Sequence, residues 1–573
     1  MKYIKISLVC ITLLIAMFSC DDDNPSTRIV QLEPKPESPD PNPNPNLNLN
    51  AYADLKTYIN HAANPVFKLG SGVLLADYTA KGDIYKLLTA NFDQITPGNE
   101  MKHDAIVQSG GKLNLDNVAN LLKVAREAGI AVYGHTLVWH SQQRASYLNS
   151  LLAPTIALND ELLESNLIGN SGFESGDGGW NSWGNNSTRG ITEKGEGYDS
   201  DYAMQFTNPA VAASWNAQVA YDFPVALQNG SQYVLNLHIK ASKQGTVSAG
   251  MQQKSDYAGR GNFGVVNMTN DWTEVTLVTT ITGENADRFL FDCGEFDGTI
   301  FFDNVTFRRV RPESGDKLFV EKTAKEKKDI ITAELERWIK GVMEVAGDYV
   351  KDWDVMNEPM DDGKPYELKT SVGRTLAANE FYWQDYLGRD VAAIAIQFAR
   401  KYGGEDLKLF INDYNLEYSM DKCKGIIQFV KDTESKGVRV DGIGTQMHIS
   451  LDTDRDKIVE MYKLLAATGK LIKITELDMG LGGNPVITTP NATQEQYKAQ
   501  GELYRFVVEK YFEHIPAAQR AGITVWSPFD SPAGSGWRAN QPIGLWTVNF
   551  IRKPAYGGFA NGLAGRDISA DVK

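Results

Sequence analysis

The sequence predicts an α/β protein: a (β/α)8 TIM barrel with a β-sandwich domain inserted between its third and fourth strands. From residue 51 onward, short β-rich runs alternate with longer amphipathic runs, which is typical of βα units around a parallel sheet. Eight β-rich runs can be distinguished, the number that closes a TIM barrel. The interval between the third and fourth runs is far longer than the roughly 30 residues that a βα unit needs.

The predicted strands are residues 69–75, 92–96, 131–138, 349–356, 407–412, 442–448, 471–475 and 523–529. Predicted helices follow most of them, at residues 115–128, 380–401, 422–436, 455–467 and 494–512. Because the working face of a TIM barrel lies at the carboxyl ends of its strands, we expect functional side chains there.

The long interval predicts a separate domain at residues 166–312, rich in Gly, Asn, Ser and aromatic residues. Alternating apolar and polar residues at 233–239 and 272–278 indicate antiparallel strands of a β-sandwich. The barrel domain is therefore discontinuous, at residues 51–165 and 313–573. Such an insertion is tolerated when the two ends of the guest domain lie close together.

The amino terminus has the pattern of a secretory signal at residues 1–19, with two lysines before an apolar stretch too short to cross a bilayer. Ser19-Cys20 resembles a bacterial lipobox, which would make Cys20 the acylated first residue. A soluble export signal with an incidental cysteine is the alternative. The acidic run after Cys20 resembles a surface-sorting signal, and residues 20–50 are predicted to be an acidic and Pro/Asn-rich tether. We expect an exported, surface-exposed outer-membrane lipoprotein.

The net charge of -15 over 573 residues argues against binding to nucleic acid or to an anionic membrane. We therefore expect membrane contact only through a lipid on Cys20, a neutral substrate such as a polysaccharide, and a monomer. Cys293 and Cys423 fall in different predicted domains, so we expect two buried thiols and no disulfide framework.

Two glutamates directly follow β-rich apolar runs: Glu358 and Glu476. Glutamate is a poor strand former and is seldom buried unless paired, so such positions suggest chemistry. A pair of carboxyl groups that converge from different strands can cut a glycosidic bond. Helix capping or pairing with lysine is the alternative explanation.

Taken together, the strand ends resemble glycoside hydrolase family 10 endo-xylanases, most specifically in the segment at 469–479. The resemblance implies hydrolysis of xylan or xylo-oligosaccharides without a cofactor, with Glu476 as the nucleophile and Glu358 as the general acid/base. A retaining mechanism places such carboxyls about 5 to 5.5 Å apart and needs opposed environments, one group ionised and the other protonated.

The resemblance also implies roles for other residues. Asn357 would bind the 2-hydroxyl of the cleaved sugar, and His448 would hydrogen-bond the nucleophile and keep it ionised. The remaining residues matched to sugar binding are His135, Trp139, Gln446, Trp526 and Trp537, and Asn412 and Asp478 would orient their neighbours.

The chain departs from the family pattern in the segment after the second strand. Family members usually have Glu at the position of Gly98 and Trp at that of His103. Asn99 and Lys102 still match the subsite one sugar further from the cleavage point. Affinity there is expected to be weaker or to come from other residues.

The inserted domain resembles carbohydrate-binding modules of the family 4, 9 and 22 type, at residues 166–174 and 302–305. That resemblance implies a structural calcium, for which Glu174 and Asp303 are suitable oxygen ligands. Candidate sugar platforms, for which core packing is the alternative, are Trp180, Trp183, Trp215, Tyr257 and Phe263.

Two other functions remain open from the sequence. A relative in the same clan could cut another β-linked glycan, such as cellulose or a mixed-linkage glucan, with the same two carboxylates. A degenerate barrel with its module could instead capture glycans without cutting them.

Overall fold

The computed structural model describes residues 48–571, so the predicted signal, Cys20 and nearly all of the tether lie outside the described residues. The barrel strands are β1 (Lys68–Val73), β2 (Gln94–Pro97), β3 (Ala131–Gly134), β4 (Asp352–Asn357), β5 (Lys408–Asp413), β6 (Gly442–Thr445), β7 (Leu471–Gly480) and β8 (Arg520–Val525). Each pairs in parallel with its neighbours, and the pairing of β6 with β7 and of β8 with β1 closes the sheet. The predicted barrel is confirmed.

Helices surround the barrel. They are Leu75–Thr79, Asp83–Asn91, His103–Ile106, Asp116–Ala128, Ala145–Leu152, Ala324–Ala346, Gln384–Leu387, Val391–Gly403, Met420–Glu434, Arg455–Ala466, Gln494–His514 and Pro554–Ala564. The two longest begin with capping boxes, at Thr323 with Glu326 and at Thr493 with Gln496, which satisfy backbone N–H groups of the first turn. Within residues 48–571, no helix combines the length and the apolar character needed to cross a membrane.

Two element boundaries differ from the prediction in an informative way. The sequence predicts that β7 ends at residue 475, yet the strand continues to Gly480 because its last residues pair with the short strand His448–Ser450. Glu476 therefore lies within a strand, where pairing outweighs its low strand propensity. The helix expected at 380–401 is broken at Gly388, which has a φ of +60°.

The inserted domain is a sandwich of two five-stranded antiparallel sheets. Its first sheet contains Gly259–Met268, Gly245–Gln252, Ala286–Asp292, Gln218–Leu227 and Trp180–Trp183. Its second sheet contains Thr273–Thr280, Gln232–Ala241, Gly298–Arg309, Met204–Asn208 and Thr188–Ile191. The predicted insertion between β3 and β4 is confirmed.

The two connections to the inserted domain run side by side. Thr155–Ile156 pairs antiparallel with Phe319–Val320, and Leu163 forms a bridge with Val310. An apolar cluster that includes Leu318 fixes these connections against the second sheet. The entry and exit of the domain are therefore adjacent, which explains why the barrel can close around the insertion.

Candidate active site

Glu358 and Glu476 face the same cleft at the carboxyl ends of the strands. Gln446, which follows β6, contacts both residues. Its Nε2 donates a hydrogen bond of 3.0 Å to Glu358 Oε1, and its carbonyl accepts one of 3.2 Å from the Glu476 backbone N–H. Glu358 has a φ of +52°, an uncommon conformation for a residue with a side chain, and its own N–H donates to the Asn412 carbonyl at 2.7 Å. The backbone thus fixes how Glu358 enters the cleft.

Glu476 is held by amide and imidazole groups. Asn412 Nδ2 donates to Glu476 Oε1 at 3.1 Å and to Asn357 Oδ1 at 2.8 Å. Thr475 donates its hydroxyl to Asn412 Oδ1 at 2.8 Å, which fixes the orientation of that amide. His448 Nε2 lies 3.5 Å from Glu476 Oε2. Asn412 and His448 thus place a nitrogen beside each of the two Glu476 carboxylate oxygens.

His448 carries a positive charge at neutral pH. Burial by itself would lower its pKa, but the carboxylates of Asp478 and Glu476 outweigh burial and raise the pKa of His448 to about 10. Asp478 Oδ2 lies 3.1 Å from His448 Nδ1, and Asp478 also accepts a hydrogen bond of 2.7 Å from Trp537 Nε1. Burial raises the pKa of Asp478, but His448 and Arg538 outweigh burial and hold it below its ordinary value.

The environment of Glu358 differs from the sequence expectation. Burial raises its pKa, but the Lys369 ammonium, His140 and the donors of Gln446 and Trp139 together bring the pKa of Glu358 below its ordinary value. Trp139 Nε1 donates to Glu358 Oε2 at 3.0 Å, and Lys369 Nζ lies 3.8 Å from the same oxygen. The surroundings of Glu358 therefore favour its ionised form rather than the protonated form expected of the acid.

The comparisons with known proteins agree with this arrangement. The model of glycosyl hydrolase family 10 matches residues 58–166 and 314–562, and a carbohydrate binding domain model matches residues 165–292. The chain belongs to glycosyl hydrolase family 10. The resemblance seen in the sequence is thereby confirmed. Enzymes of this family retain the anomeric configuration and need no cofactor for catalysis.

Curated relatives match parts of the chain. Endo-1,4-beta-xylanase A of Halalkalibacterium halodurans is 32% identical over 43% of this chain and 62% of its own length. A thermostable celloxylanase of Thermoclostridium stercorarium is 29% identical over 50% of this chain and 71% of its own. The chain thus spans less than two thirds of the first relative.

A solved structure shares the fold. A family 10 protein from Paenibacillus barcinonensis has a TM-score of 0.51 and 19% identity, and the match covers 89% of this chain and 97% of that one.

Aromatic and histidine side chains line the walls of the family 10 cleft. His135 is fixed by Asp354, whose Oδ2 lies 2.9 Å from His135 Nδ1 and whose Oδ1 accepts the Tyr133 hydroxyl at 2.7 Å. The rings of His135 and Trp526 meet edge to face at 5.5 Å. Trp537 packs at 4.6 Å from the His448 ring and keeps part of its surface exposed. The aromatic rings therefore present flat apolar faces to the cleft, and their ring nitrogens present polar edges.

Lys102 and Asn99 are joined through a residue that the sequence did not reveal. Lys102 Nζ donates to Gln142 Oε1 at 2.6 Å, and Gln142 Nε2 donates to Asn99 Oδ1 at 3.2 Å. The Lys102 ammonium also lies 4.9 Å from the Trp139 ring centre. Burial lowers the pKa of Lys102 despite the nearby carboxylates.

The two departures from the family pattern have different consequences. His103 is buried, its Nδ1 accepts the Arg144 backbone N–H at 3.0 Å, and its ring packs against Trp338 at 5.0 Å. It is a packing residue, and the weaker or differently supplied sugar affinity at this subsite stays a prediction. At Gly98 an added Cβ would meet only Leu74 and the Val73 carbonyl oxygen, both at ordinary contact distances. The absence of a side chain at this position therefore leaves space at the edge of the cleft.

Three residues at the site had weak or no sequence signals. Gln142 and Lys369 lie in loops and belong to no recognised pattern. Asp354 offered a signal, because a carboxylate inside the apolar run at 353–356 must find buried partners.

In the carbohydrate-binding domain, the structure separates the candidate platforms. Trp180 and Phe263 are buried in the sandwich core, so their prediction as platforms is wrong. Trp215 and Tyr257 are 66% and 68% exposed. The Trp183 ring lies 4.8 Å from the guanidinium of Arg288 on the outer face of the first sheet.

Glu174 and Asp303 both contact the loop around residue 200. Asp303 accepts hydrogen bonds of 2.7 Å from the Tyr198 N–H, the Ser200 hydroxyl and the Asn304 N–H. Glu174 accepts one of 2.9 Å from the Tyr202 N–H. Within the described residues, no group of three or more His, Cys, Asp or Glu side chains is arranged to hold a metal ion.

The two cysteines of the described part, Cys293 and Cys423, are buried free thiols, as expected.

Proposed function

We propose that this protein is an endo-β-1,4-xylanase that hydrolyses xylan with retention of configuration. The observation that carries the proposal is the pairing of Glu358 and Glu476 across one cleft, with Gln446 in contact with both and an imidazolium beside Glu476. In a retaining glycosidase one carboxylate attacks the anomeric carbon while the other exchanges the proton.

In the first step, Glu476 attacks the anomeric carbon and the bond to the leaving oxygen breaks. Glu358, protonated, gives its proton to that oxygen. The Asn412 amide and the His448 imidazolium orient the Glu476 carboxylate towards that carbon. Asn357, whose Oδ1 is already bound by Asn412, keeps its amide N–H groups for the sugar 2-hydroxyl.

In the second step, water attacks the anomeric carbon of the glycosyl-enzyme and gives its proton to Glu358, and the bond to Glu476 breaks. Here Glu358 must begin ionised, which is the state that its surroundings favour. His135, Trp139, Trp526 and Trp537 would hold the sugar rings during both steps, and Asn99 and Lys102 the next sugar.

The test compares Glu358→Gln and Glu476→Gln with Glu344→Gln, an exposed helix position, on soluble xylan. We expect each active-site variant to lose about 1,000-fold or more in kcat, since acid/base and nucleophilic roles are each worth that order. Nuclear magnetic resonance of the first product should show the β-anomer. An α-anomer, or an active Glu358→Gln protein, would overturn the assignment.

A glucan substrate is the second candidate, favoured by the resemblance to a celloxylanase. Parallel assays on xylan, carboxymethylcellulose and mixed-linkage glucan decide between them. Absence of activity on all three, together with retained binding, would instead favour the non-catalytic alternative.

We also propose that the inserted domain binds xylan on the outer face of its first sheet. Across this face the register aligns the small residues Ala220 and Gly250 on either side of Leu290. Trp183 and Arg288 contact each other on the same face, and the buried Gln252 Nε2 has no partner among residues 48–571.

Affinity electrophoresis on xylan tests this face. Trp183→Ala should abolish retardation of the isolated residues 157–320, whereas Trp215→Ala, at an exposed position elsewhere, should leave it. The reverse result would move the site to the loop that carries Trp215.

The calcium prediction belongs to the same proposal. The negative charge of Glu174, Asp199 and Asp201 around an open depression beside the loop that Asp303 holds supports the proposal, although these carboxylates are not grouped as metal ligands. A rise in the Tm of the module on adding Ca²⁺, reversed by a chelator and absent in Asp303→Asn, would support it. An unchanged Tm would assign Asp303 to fixing the loop alone.

The export proposal rests on the sequence only. Cys20 should incorporate labelled palmitate in cells, and Cys20→Ala should release the protein from the membrane fraction. Protease accessibility on whole cells tests exposure at the outer surface.

A further inference from the structure

Lys369 is a buried cation beside the acid/base that neither step above uses. It follows the bridge between Met360 and Leu368 in the loop after β4. Its backbone is fixed on both sides: its N–H donates to the Pro359 carbonyl at 2.8 Å, and its carbonyl accepts Gln384 Nε2 at 2.7 Å. Nζ lies 3.8 Å from Glu358 Oε2, and only 6% of the side chain is exposed. The loop thus places the Lys369 ammonium beside the Glu358 carboxylate.

The neighbouring Lys422 differs from Lys369 in its ion pairs. Lys422 Nζ lies 3.0 Å from Asp413 Oδ1 and 2.7 Å from Asp362 Oδ1. Both ammonium groups also lie over the ring of Tyr414, Lys422 at 3.6 Å and Lys369 at 4.4 Å. Lys422 is therefore neutralised by two carboxylates, whereas the carboxylate within 4 Å of Lys369, in the part of the chain that the structure describes, is Glu358.

We propose that Lys369 is a positioning residue whose ammonium holds Glu358 ionised, and so favours the base role of Glu358 in the second step over its acid role in the first. This inference rests on the proposed function. The proton balance follows directly: water loses a proton to Glu358 as its oxygen bonds to the anomeric carbon. An ammonium 3.8 Å away stabilises the carboxylate that accepts that proton.

Other titratable groups surround Glu358 from each neighbouring element and stay unchanged in the test. They are Lys102 after β2, His140 after β3, Asp413, Tyr414 and Lys422 in and after β5, and Glu476 in β7. Asp413 is buried with Lys422 and is therefore largely balanced. His140 has its pKa lowered to about 4, mainly by burial, so it is neutral above that pH.

The experiment measures kcat/KM against pH on xylan for the wild-type protein, Lys369→Met, Lys369→Arg and Lys364→Met. Lys364 lies exposed in the same loop and serves as the control. Loss of the first step at high pH reports the deprotonation of Glu358. Lys369→Met should move this alkaline limb upward by about one pH unit or more, the shift expected for losing an opposite charge at this distance. Lys369→Arg and Lys364→Met should leave the limb in place.

A second measurement follows the water step by itself. With an aryl xylobioside whose leaving group needs no proton, the second step limits kcat, and the acid limb of kcat reports the protonation of Glu358. Lys369→Met should move this acid limb upward by about one pH unit, so that kcat at a pH on the limb falls several-fold while the burst of released phenol remains. An active Lys369→Met protein with an unmoved limb and normal kcat would overturn the inference. A wild-type protein inactive on every glycan would instead overturn the proposed function, so the two failures are distinct.

Discussion

The two carboxyl groups of the cleft are held by different parts of the fold. Glu476 lies within β7 and is surrounded by groups from β5 and the end of β6, all on strands or directly attached to them. Glu358 is at the end of β4, and its cation comes from a long loop. The groups around Glu476 belong to the barrel strands or directly follow them. The cation beside Glu358 is supplied by Lys369, so its position depends on the conformation of one loop.

This difference matches what each group has to do. Glu476 must be ionised whenever a substrate arrives, so a rigid network that never changes suits it. Glu358 alternates between acid and base, and a cation at 3.8 Å without close hydrogen-bond contact can bias that balance and still permit protonation. Variants on the strand side should therefore cost stability, and variants on the loop side should mainly change pH dependence.

The largest effect is expected for Asp478→Asn, on the strand side. Asp478 is buried between His448 at 3.1 Å and Arg538 at 3.2 Å, and its loss takes a buried carboxylate from two partly buried cations, of which His448 keeps Glu476 at 3.5 Å. Breaking a buried pair in this way costs about 3–5 kcal/mol in the free energy of unfolding. Urea denaturation measures it, with Asp348→Asn at a fully exposed position as control. A loss below about 1 kcal/mol would show that the network is not structural.

The next effect concerns pH and the same network. The folded-state pKa of His448 is raised to about 10 from its ordinary 6.5, so folding favours the protonated ring. The stabilisation from this ring is fully present below pH 6.5 and is lost as the pH rises through 10. Unfolding free energies of wild-type and His448→Gln proteins should therefore differ most at pH 6 and converge towards pH 10. A constant difference would contradict a charged His448.

The sequence predicted the strand side better than the loop side for a physical reason. Glu476, His448 and Asn412 stand at fixed positions on or beside strands, so strand order alone brings them together. Lys369 and Gln142 reach the site through loop conformations that no periodicity encodes. Trp180 and Phe263 were candidates as platforms because aromatic residues in a sandwich look alike in sequence, and only burial distinguishes core from surface.

A smaller effect on the loop side is expected for Trp139→Phe. The change keeps an aromatic ring in the cleft but removes the Nε1 hydrogen bond to Glu358 Oε2. Losing one neutral donor should raise the pKa of Glu358 less than losing a full charge, so the alkaline limb should move by under about one pH unit. A limb that moves further than in Lys369→Met would show that the indole, and not the ammonium, controls Glu358.

The smallest effect is expected for Thr475→Val on the strand side. This change replaces the hydroxyl that donates to Asn412 Oδ1 at 2.8 Å with a methyl group of the same shape. The amide loses one buried partner, which should cost about 1 kcal/mol in unfolding free energy, and it can now turn away from Glu476, which should lower kcat several-fold. Thr445→Val is the matched control, because the Thr445 hydroxyl on neighbouring β6 donates only to the Met461 sulfur at 3.5 Å. If both variants lose the same activity, the orientation of Asn412 does not depend on Thr475, and the strand side is held by His448 and Asp478 alone.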